Sequence, residues 1–222
     1  MYSSWCLFVV VSDTNPMPLT ISAVNPKGGT GKTTIAVHLA VAFQRSGYLA
    51  KLVDVDPRGT ALDWHRRTPD DYDGPPVQHV PVDENVAPTA QGADVVILDS
   101  PARLDERTWA VLSVSDLALV PVRPSGLDLW GTAEFLGVLN EHLDTTELKA
   151  AFVASQKDVR TTLSEELERV LSREGLPFLD GLTSRVAYAR SLSQGETVLD
   201  GHDDTAEEEV QALFEDVGRL LS

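Results

Sequence analysis

The chain has 222 residues, of which 42% are hydrophobic and 23% charged, so it is long and apolar enough for one α/β domain and too apolar for disorder. Its net charge of −16 disfavours a surface built throughout to neutralise nucleic-acid phosphates, while leaving room for a local basic patch. One cysteine, Cys6, excludes an internal disulfide framework and a cysteine-only metal site, which makes a reducing cytoplasmic compartment the expected one.

Residues 1–16 precede the first clear strand, and two interpretations of them remain open. The longest apolar run, Trp5–Val11, has seven residues, far below the roughly 18–20 that a membrane span needs. No positive charge precedes it, which is unlike a signal peptide. The segment is either an additional strand or a start-site artefact, and we favour the artefact because Met17 would open a compact domain. The predicted domain is therefore 17–222.

Strand-like and helix-like segments then alternate, which predicts a single α/β domain with a mostly parallel sheet and helices on both faces. The predicted strands are Leu19–Asn25, Leu49–Val55, Val77–Val82, Ala93–Leu98, Leu117–Val122 and Leu148–Ala154, followed by a short segment at Phe178–Leu182. The predicted helices are Lys32–Ser46, Leu127–Leu143, Thr161–Glu174, Arg185–Ser193 and Thr205–Leu221. The last helix has an apolar face that we assign to the core, because six of the ten residues 200–209 are acidic and would be repelled by anionic lipid.

The most informative stretch is the glycine-rich segment Asn25–Thr34, which runs from a strand into a helix. Glycines let successive backbone N–H groups curl around phosphate oxygens, and a helix N-terminus favours an anion. Lys32 can then reach the β- and γ-phosphates, while the Thr33 hydroxyl can ligate Mg²⁺. The motif is a variant, because Pro26 replaces its first glycine. The predicted nucleotide-binding residues are Lys27, Gly28, Gly29, Thr30, Gly31, Lys32, Thr33 and Thr34.

Three acidic residues follow buried strands that neighbour this loop in the predicted sheet. Asp54 and Asp56 come at the end of one strand, and Asp99 ends another. In open α/β sheets ligands bind at the carboxyl ends of the strands, where a carboxylate can approach Mg²⁺. Any one of these acids could equally be a helix cap, but three beside a phosphate loop favour a nucleotide site.

These motifs resemble the deviant-Walker ATPases, and within them the ParA partition type, which is related to the MinD type. The resemblance rests on Lys27–Thr33 (KGGTGKT), Asp54–Pro57 and Asp99–Ala102, and it extends through Pro121–Trp130 and Ser184–Arg190. It covers the chain from Leu19 to the C-terminus and implies a P-loop NTPase fold.

The resemblance also implies a mechanism. Two subunits would sandwich two ATP molecules, with Lys27 reaching the partner's nucleotide and Lys32 acting as the second catalytic lysine. Asp56 would orient the attacking water, and Thr33, Asp54 and Asp99 would hold Mg²⁺, the carboxylates through waters. Hydrolysis would be slow and stimulated by a ParB-like partner. The ATP-bound dimer would bind DNA nonspecifically, in the cytoplasm and on the nucleoid, without a membrane.

The chain departs from the family pattern at two places. Arg58 stands where the family usually has glutamine, and Ser155 with Gln156 occupy a place where relatives often have an asparagine that recognises adenine. The best candidate DNA contacts are Arg160, Arg185 and Arg190, although solvated surface arginines explain them equally well.

Two other functions remain open beside partitioning. A membrane-cycling regulator of the MinD type would need a basic amphipathic C-terminal helix, whereas residues 200–222 are acidic. A P-loop ligase would need a second-substrate pocket, which no loop indicates.

Overall fold

The computed structural model describes residues 17–80, 92–124, 133–157 and 169–222. Seven strands lie within these ranges: β1 (Leu19–Ala23), β2 (Ala50–Asp54), β3 (Val77–His79), β4 (Val95–Asp99), β5 (Leu117–Val122), β6 (Lys149–Lys157) and β7 (Phe178–Thr183). They form one sheet in the order β3-β2-β4-β1-β5-β6-β7, and every neighbouring pair is parallel. The predicted fold class is confirmed.

Six α-helices of at least six residues accompany the strands in the described ranges: α1 (Lys32–Arg45), α2 (Thr60–His65), α3 (Glu106–Ser113), α4 (Ala133–Thr145), α5 (Val186–Ser193) and α6 (Asp204–Leu221). Short 3-10 helices form at Ser172–Glu174 and Val198–Asp200. Helices α1 to α4 lie between consecutive strands, as connections between parallel strands require, and α5 and α6 follow β7.

Several predicted segments fall outside the described residues. These are residues 1–16, the beginning of the predicted helix at 127–143, most of the predicted helix at 161–174 and the candidate DNA contact Arg160. The end of that second helix is described: residues 169–171 are α-helical, as predicted, and Ser172–Glu174 continue as a 3-10 helix.

Alternation along the buried strands divides the core between the two faces of the sheet. In β5, Leu117 and Leu119 pack with α1 and α6, whereas Ala118 and Val120 pack with α4 on the opposite face. A strand that is buried on both faces reads as a continuous apolar run, which is why β4 and β5 were recognisable without any polar alternation.

The C-terminal helix α6 belongs to the core. Its apolar side chains pack in the same cluster as those of α1, and five of them are at most 1% exposed: Ala206, Val210, Leu213, Phe214 and Val217. The predicted core role of this helix is therefore confirmed. No helix within the described ranges is long and apolar enough to cross a bilayer.

The strand order places a crevice at the carboxyl end of β1. β1 lies between β4 and β5, so the chain winds outward in opposite directions on its two sides. In register with its last residue lies Asp99 of β4, and Asp99 in turn is in register with Asp54 of β2. Crevices of this kind hold the ligands of doubly wound sheets.

Candidate functional site

The glycine-rich segment forms a tight loop between β1 and α1. Asn25 stabilises it from within: its side-chain amide donates to the Pro121 carbonyl at 2.8 Å, and its Oδ1 accepts the Lys27 backbone N–H at 2.9 Å. Gly31 precedes α1 with a φ of +90°, and a Cβ there would lie 2.2 Å from the Ser155 hydroxyl oxygen. Only glycine fits this backbone conformation and this spacing.

Lys32 lies at the start of α1, with its ammonium group held over the loop. Its Nζ donates to the Lys27 carbonyl at 3.0 Å, and the residue is only 6% exposed. Burial lowers the pKa of Lys32, although the nearby charges of Asp99 and Asp56 act in the opposite direction. A buried ammonium beside a helix N-terminus favours a bound anion, as the motif predicted.

Thr33 and Asp99 meet at the end of β4. The Thr33 hydroxyl donates to Asp99 Oδ2 at 2.6 Å, while the buried Oδ1 of Asp99 has no hydrogen-bond partner among the described residues. Burial is the main reason that the pKa of Asp99 is raised to about 7. An unpartnered buried carboxylate oxygen beside a hydroxyl fits Mg²⁺, either directly or through a water.

Within the described residues no cluster of three or more histidine, cysteine or carboxylate side chains could hold a metal by itself. This agrees with Mg²⁺ chemistry, since the ion commonly takes one or two protein ligands and completes its shell with phosphate oxygens and waters. Thr33 and Asp99 are the residues placed to supply that protein share.

Asp54 has a different immediate role from the one that its position suggested. Its Oδ1 accepts the backbone N–H of Asp56 at 3.1 Å, and its Oδ2 accepts that of Leu62 at 3.0 Å. Burial raises the pKa of Asp54, and these hydrogen bonds partly offset that effect. Asp54 therefore ties the end of β2 to the first turn of α2, and its predicted contact with Mg²⁺ stays a prediction.

Asp56 lies just beyond β2, in an ion pair with Arg58. The Arg58 Nη2 donates to Asp56 Oδ2 at 2.9 Å, and the Arg58 backbone N–H donates to Oδ1 at 3.0 Å. Burial alone would raise the pKa of Asp56, but the hydrogen bonds and charge of Arg58 outweigh it and hold that pKa below its usual range. Asp56 is thus an ionised carboxylate at neutral pH.

Gln156 covers the phosphate loop from the end of β6. It has a φ of +54°, which is unusual for a residue other than glycine, and its Nε2 donates to the Gly29 carbonyl at 2.9 Å. The pairing of β6 with β7 shifts register here, and Gly181 allows the close approach because a Cβ at Gly181 would lie 1.9 Å from the Ala154 carbonyl oxygen. The sequence marked Ser155 and Gln156 as a departure in base recognition, whereas the structure places both against the phosphate loop.

These side chains surround one cleft of about 250 Å³. Its lining consists of residues 29–34 of the loop together with Asp56, Arg58, Thr60 and Gln156. Lys27 and Gly28 lie in the same loop, and among the described residues they do not line the cleft. The fold therefore gathers most of the predicted phosphate-binding residues in one place.

The candidate DNA contacts do not share this site. Arg185 already has acidic neighbours, since its Nε donates to Glu209 at 3.1 Å and its Nη1 lies 3.7 Å from Asp203. Arg190 is exposed on α5 and lines a groove of about 650 Å³ whose lining includes no residue of the phosphate loop. That lining also includes Glu196, Asp200 and Asp203, and the predicted contact of Arg190 with DNA stays a prediction.

Comparison with known proteins, like the geometry of the cleft, indicates a nucleotide-binding domain. The model of the CobQ/CobB/MinD/ParA nucleotide-binding domain matches residues 21–198. The chain is 29% identical over 209 residues to the maintenance of carboxysome distribution protein A of Halothiobacillus neapolitanus, covering 89% of this chain and 95% of that protein. It is 29% identical over 185 residues to the chromosome-partitioning ATPase Soj of Thermus thermophilus, covering 68% of this chain and 74% of that one.

Among solved structures, the septum site-determining protein MinD of Pyrococcus horikoshii, complexed with Mg-ADP, has a similar fold. Its TM-score is 0.68 at 20% identity, over 90% of this chain and 96% of that chain. Together with the phosphate loop and the Thr33–Asp99 pair, the match over residues 21–198 shows that the chain belongs to the CobQ/CobB/MinD/ParA family of nucleotide-binding domains.

Proposed function

We propose that this chain is an ATP-hydrolysing switch that dimerises around ATP and positions DNA or another cargo. The observation that carries the proposal is the phosphate loop, which contains two lysines, Lys27 and Lys32. The cleft beside this loop also contains the ionised carboxylate of Asp56. The names of the relatives support it, since one is a chromosome-partitioning ATPase and another maintains the distribution of carboxysomes.

The loop would bind the phosphates mainly through charge and backbone donors. Lys32 would place its ammonium on the β- and γ-phosphates, and the N–H groups at the start of α1 would donate to their oxygens. Thr33 and Asp99 would hold Mg²⁺, which when bound neutralises the charge that develops on the phosphates. Binding would also compensate the buried charges of Lys32 and Asp99.

Asp56 would orient the attacking water. Its carboxylate lines the same cleft as the phosphate loop, so its oxygens, once free of Arg58, can accept hydrogen bonds from a water placed against the terminal phosphate. Lys27 would supply the second positive charge from the other subunit, so turnover would depend on the dimer. We infer slow hydrolysis that a ParB-like DNA-binding partner stimulates.

Nonspecific DNA binding, and with it association with the nucleoid, is the part of the proposal furthest from the cleft. Arg190 and Arg160 would contact phosphates, while Arg185 would contribute less because Glu209 partly neutralises its charge. The net charge of −16 implies that such binding depends on a few local contacts.

The test is the mass of the particle in light scattering with ATP, with ADP and without nucleotide. Wild type should double its mass from 24.1 kDa with ATP alone. Lys27→Ala should bind ATP in calorimetry but stay monomeric, because the two nucleotides would then face each other without the bridging cation. Lys149→Ala is the matched control, since Lys149 is exposed at the opposite end of β6 and should leave dimerisation intact. A wild type that stays monomeric in saturating ATP contradicts the proposal.

A further inference from the structure

Arg58 lies against Asp56, the carboxylate that the proposed hydrolysis depends on. Its guanidinium reaches both oxygens of Asp56, with Nη2 at 2.9 Å from Oδ2 and Nε at 3.3 Å from each oxygen. The Arg58 backbone N–H occupies Oδ1 as well. In this arrangement Asp56 has little remaining capacity to accept a hydrogen bond from water.

The two partners in this ion pair differ in how freely they can move. The side chain of Asp56 is 7% exposed, whereas that of Arg58 is 66% exposed. An ion pair with one exposed partner contributes little net free energy, because water and salt screen it and the long side chain loses entropy in forming it. Water can hydrate the exposed guanidinium when it moves, whereas the carboxylate is held among buried groups, so Arg58 is the partner that can move and Asp56 stays in place.

The alternative position for the guanidinium lies in the same cleft. Arg58 lines the cleft together with residues 29–34 of the phosphate loop. Its positive charge also reaches the loop, since it contributes to the lowered pKa of Lys32 after the larger effect of burial. An arginine fork binds phosphate oxygens in the same bidentate manner as a carboxylate, and a terminal phosphate carries more charge than a carboxylate does.

We propose that Arg58 senses the terminal phosphate of ATP. Its guanidinium leaves Asp56 and binds that phosphate instead. Without nucleotide, or with a nucleoside diphosphate, the guanidinium stays on Asp56 and keeps the carboxylate from water. With a nucleoside triphosphate it moves to the terminal phosphate, and the oxygens of Asp56 become available. This proposal rests on the proposed ATPase function and adds a positioning step to it, with no covalent step of its own.

The test compares the affinities for AMPPNP, a non-hydrolysable ATP analogue, and for ADP, measured by calorimetry with Mg²⁺. Arg58→Gln should weaken AMPPNP binding about tenfold and change ADP binding by less than about twofold, because it removes a charge-assisted hydrogen bond that only the terminal phosphate receives. Arg58→Lys keeps the positive charge but lacks the planar guanidinium, so it should retain part of the preference for AMPPNP over ADP. Arg66→Gln is the matched control, since Arg66 is 67% exposed and paired with Asp63. In this variant the ratio of the affinities for AMPPNP and ADP should equal that of wild type.

If the ratio of the two affinities is unchanged in Arg58→Gln, whether both affinities are kept or both fall equally, the proposal is wrong. The experiment separates this failure from a failure of the proposed function. If Lys32→Ala binds both nucleotides as tightly as wild type, or if wild type binds neither, the phosphate-loop assignment itself is wrong. If only the Arg58 variants behave unexpectedly, that assignment stands and the exchange of Arg58 does not.

Discussion

Burying the carboxylate of Asp99, a predicted Mg²⁺ ligand, costs the nucleotide-free protein stability. Its carboxylate is fully buried at the end of β4, and one of its oxygens has no hydrogen-bond partner among the described residues. Burial raises the pKa of Asp99 from 3.8 to about 7. A group whose pKa is raised on folding contributes stability below its unfolded pKa and loses it as the pH rises through the folded value.

Asp99→Asn should therefore stabilise the nucleotide-free protein at pH 8. In metal-free buffer we expect the free energy of unfolding to rise by on the order of 4 kcal/mol, less any hydrogen bonding lost with Thr33. At pH 4 the variant and wild type should be similar. Urea unfolding at both pH values measures this, with the exposed Asp180→Asn as control. The same variant should lose Mg²⁺-dependent nucleotide binding. An Asn variant less stable than wild type at pH 8 would contradict the account of Asp99.

Some residues of the site were predictable from the sequence and others were not. The loop at 27–34 was predictable because its glycines and lysine stand at a spacing typical of phosphate loops, so the letters alone identify it. The contact of Arg58 with Asp56 depends on which rotamer an exposed side chain adopts, and no pattern encodes that. The position of Gln156 depends on a β6–β7 irregularity whose only trace in the sequence is Gly181.

The same distinction holds for whole elements. The long helices and buried strands were predictable because they repeat an apolar pattern over several turns or a whole strand. α2 has six residues, too few for a period to stand out, and α3 was missed although α5, which also has eight residues, was predicted. Their available signals are local: Gly59 with a φ of +65° before α2, and Asp105, whose side chain accepts the Arg107 N–H at the start of α3.

Helix α1 connects the phosphate loop to the 3-10 helix at Val198–Asp200 through one buried histidine. His38 Nδ1 lies 2.7 Å from the Thr34 carbonyl, and the Val198 N–H donates to His38 Nε2 at 3.2 Å. One ring nitrogen must donate and the other accept, so the imidazole is neutral. Burial lowers the pKa of His38 from 6.5 to about 4.

The protein should therefore lose stability in acid through His38. The unfolded chain binds a proton at this residue below pH 6.5 and the folded chain only below about pH 4, so stability falls as the pH drops between these values. The loss attributable to His38 is about 3 kcal/mol. Urea unfolding from pH 7 to pH 4 should show the free energy of unfolding of wild type falling relative to that of His38→Gln, because the opposite contribution of Asp99 is common to both proteins. His202→Gln, at an exposed position, should decline as wild type does. Parallel curves for wild type and His38→Gln would contradict this.

At the scale of the whole molecule the acidic surface limits how DNA can be bound. With a net charge of −16, only a local group of arginines can contact phosphates, and the remaining surface repels them. Binding by about three arginines predicts a shallow dependence of log affinity on log salt, with a slope of about −0.9 per phosphate neutralised. Screening of the repulsion by moderate salt would flatten the slope further.

Arg190→Ala should make that slope shallower by about 0.9 and weaken binding at low salt, because it removes one phosphate contact. DNA titrations of the ATP-bound protein at several salt concentrations measure both effects. Arg219→Ala is the control, since Arg219 is 69% exposed and paired with Asp216 on α6. If Arg190→Ala binds DNA as wild type does, Arg190 is not part of the interface. A wild type that ignores DNA at every salt concentration would leave the ATPase switch intact and remove the partition function.

The central claim is that ATP holds the dimer together and that Asp56 ends this state by orienting water. Asp56→Ala should separate dimer formation from hydrolysis. The most direct test of the claim follows particle mass and phosphate release together in the presence of ATP. The variant should reach the mass of the dimer and keep it, with phosphate release near background, while wild type returns to monomer as ATP is consumed. Asp63→Ala, at a half-exposed aspartate of α2, should behave as wild type. Phosphate release by Asp56→Ala at the wild-type rate would contradict the claim.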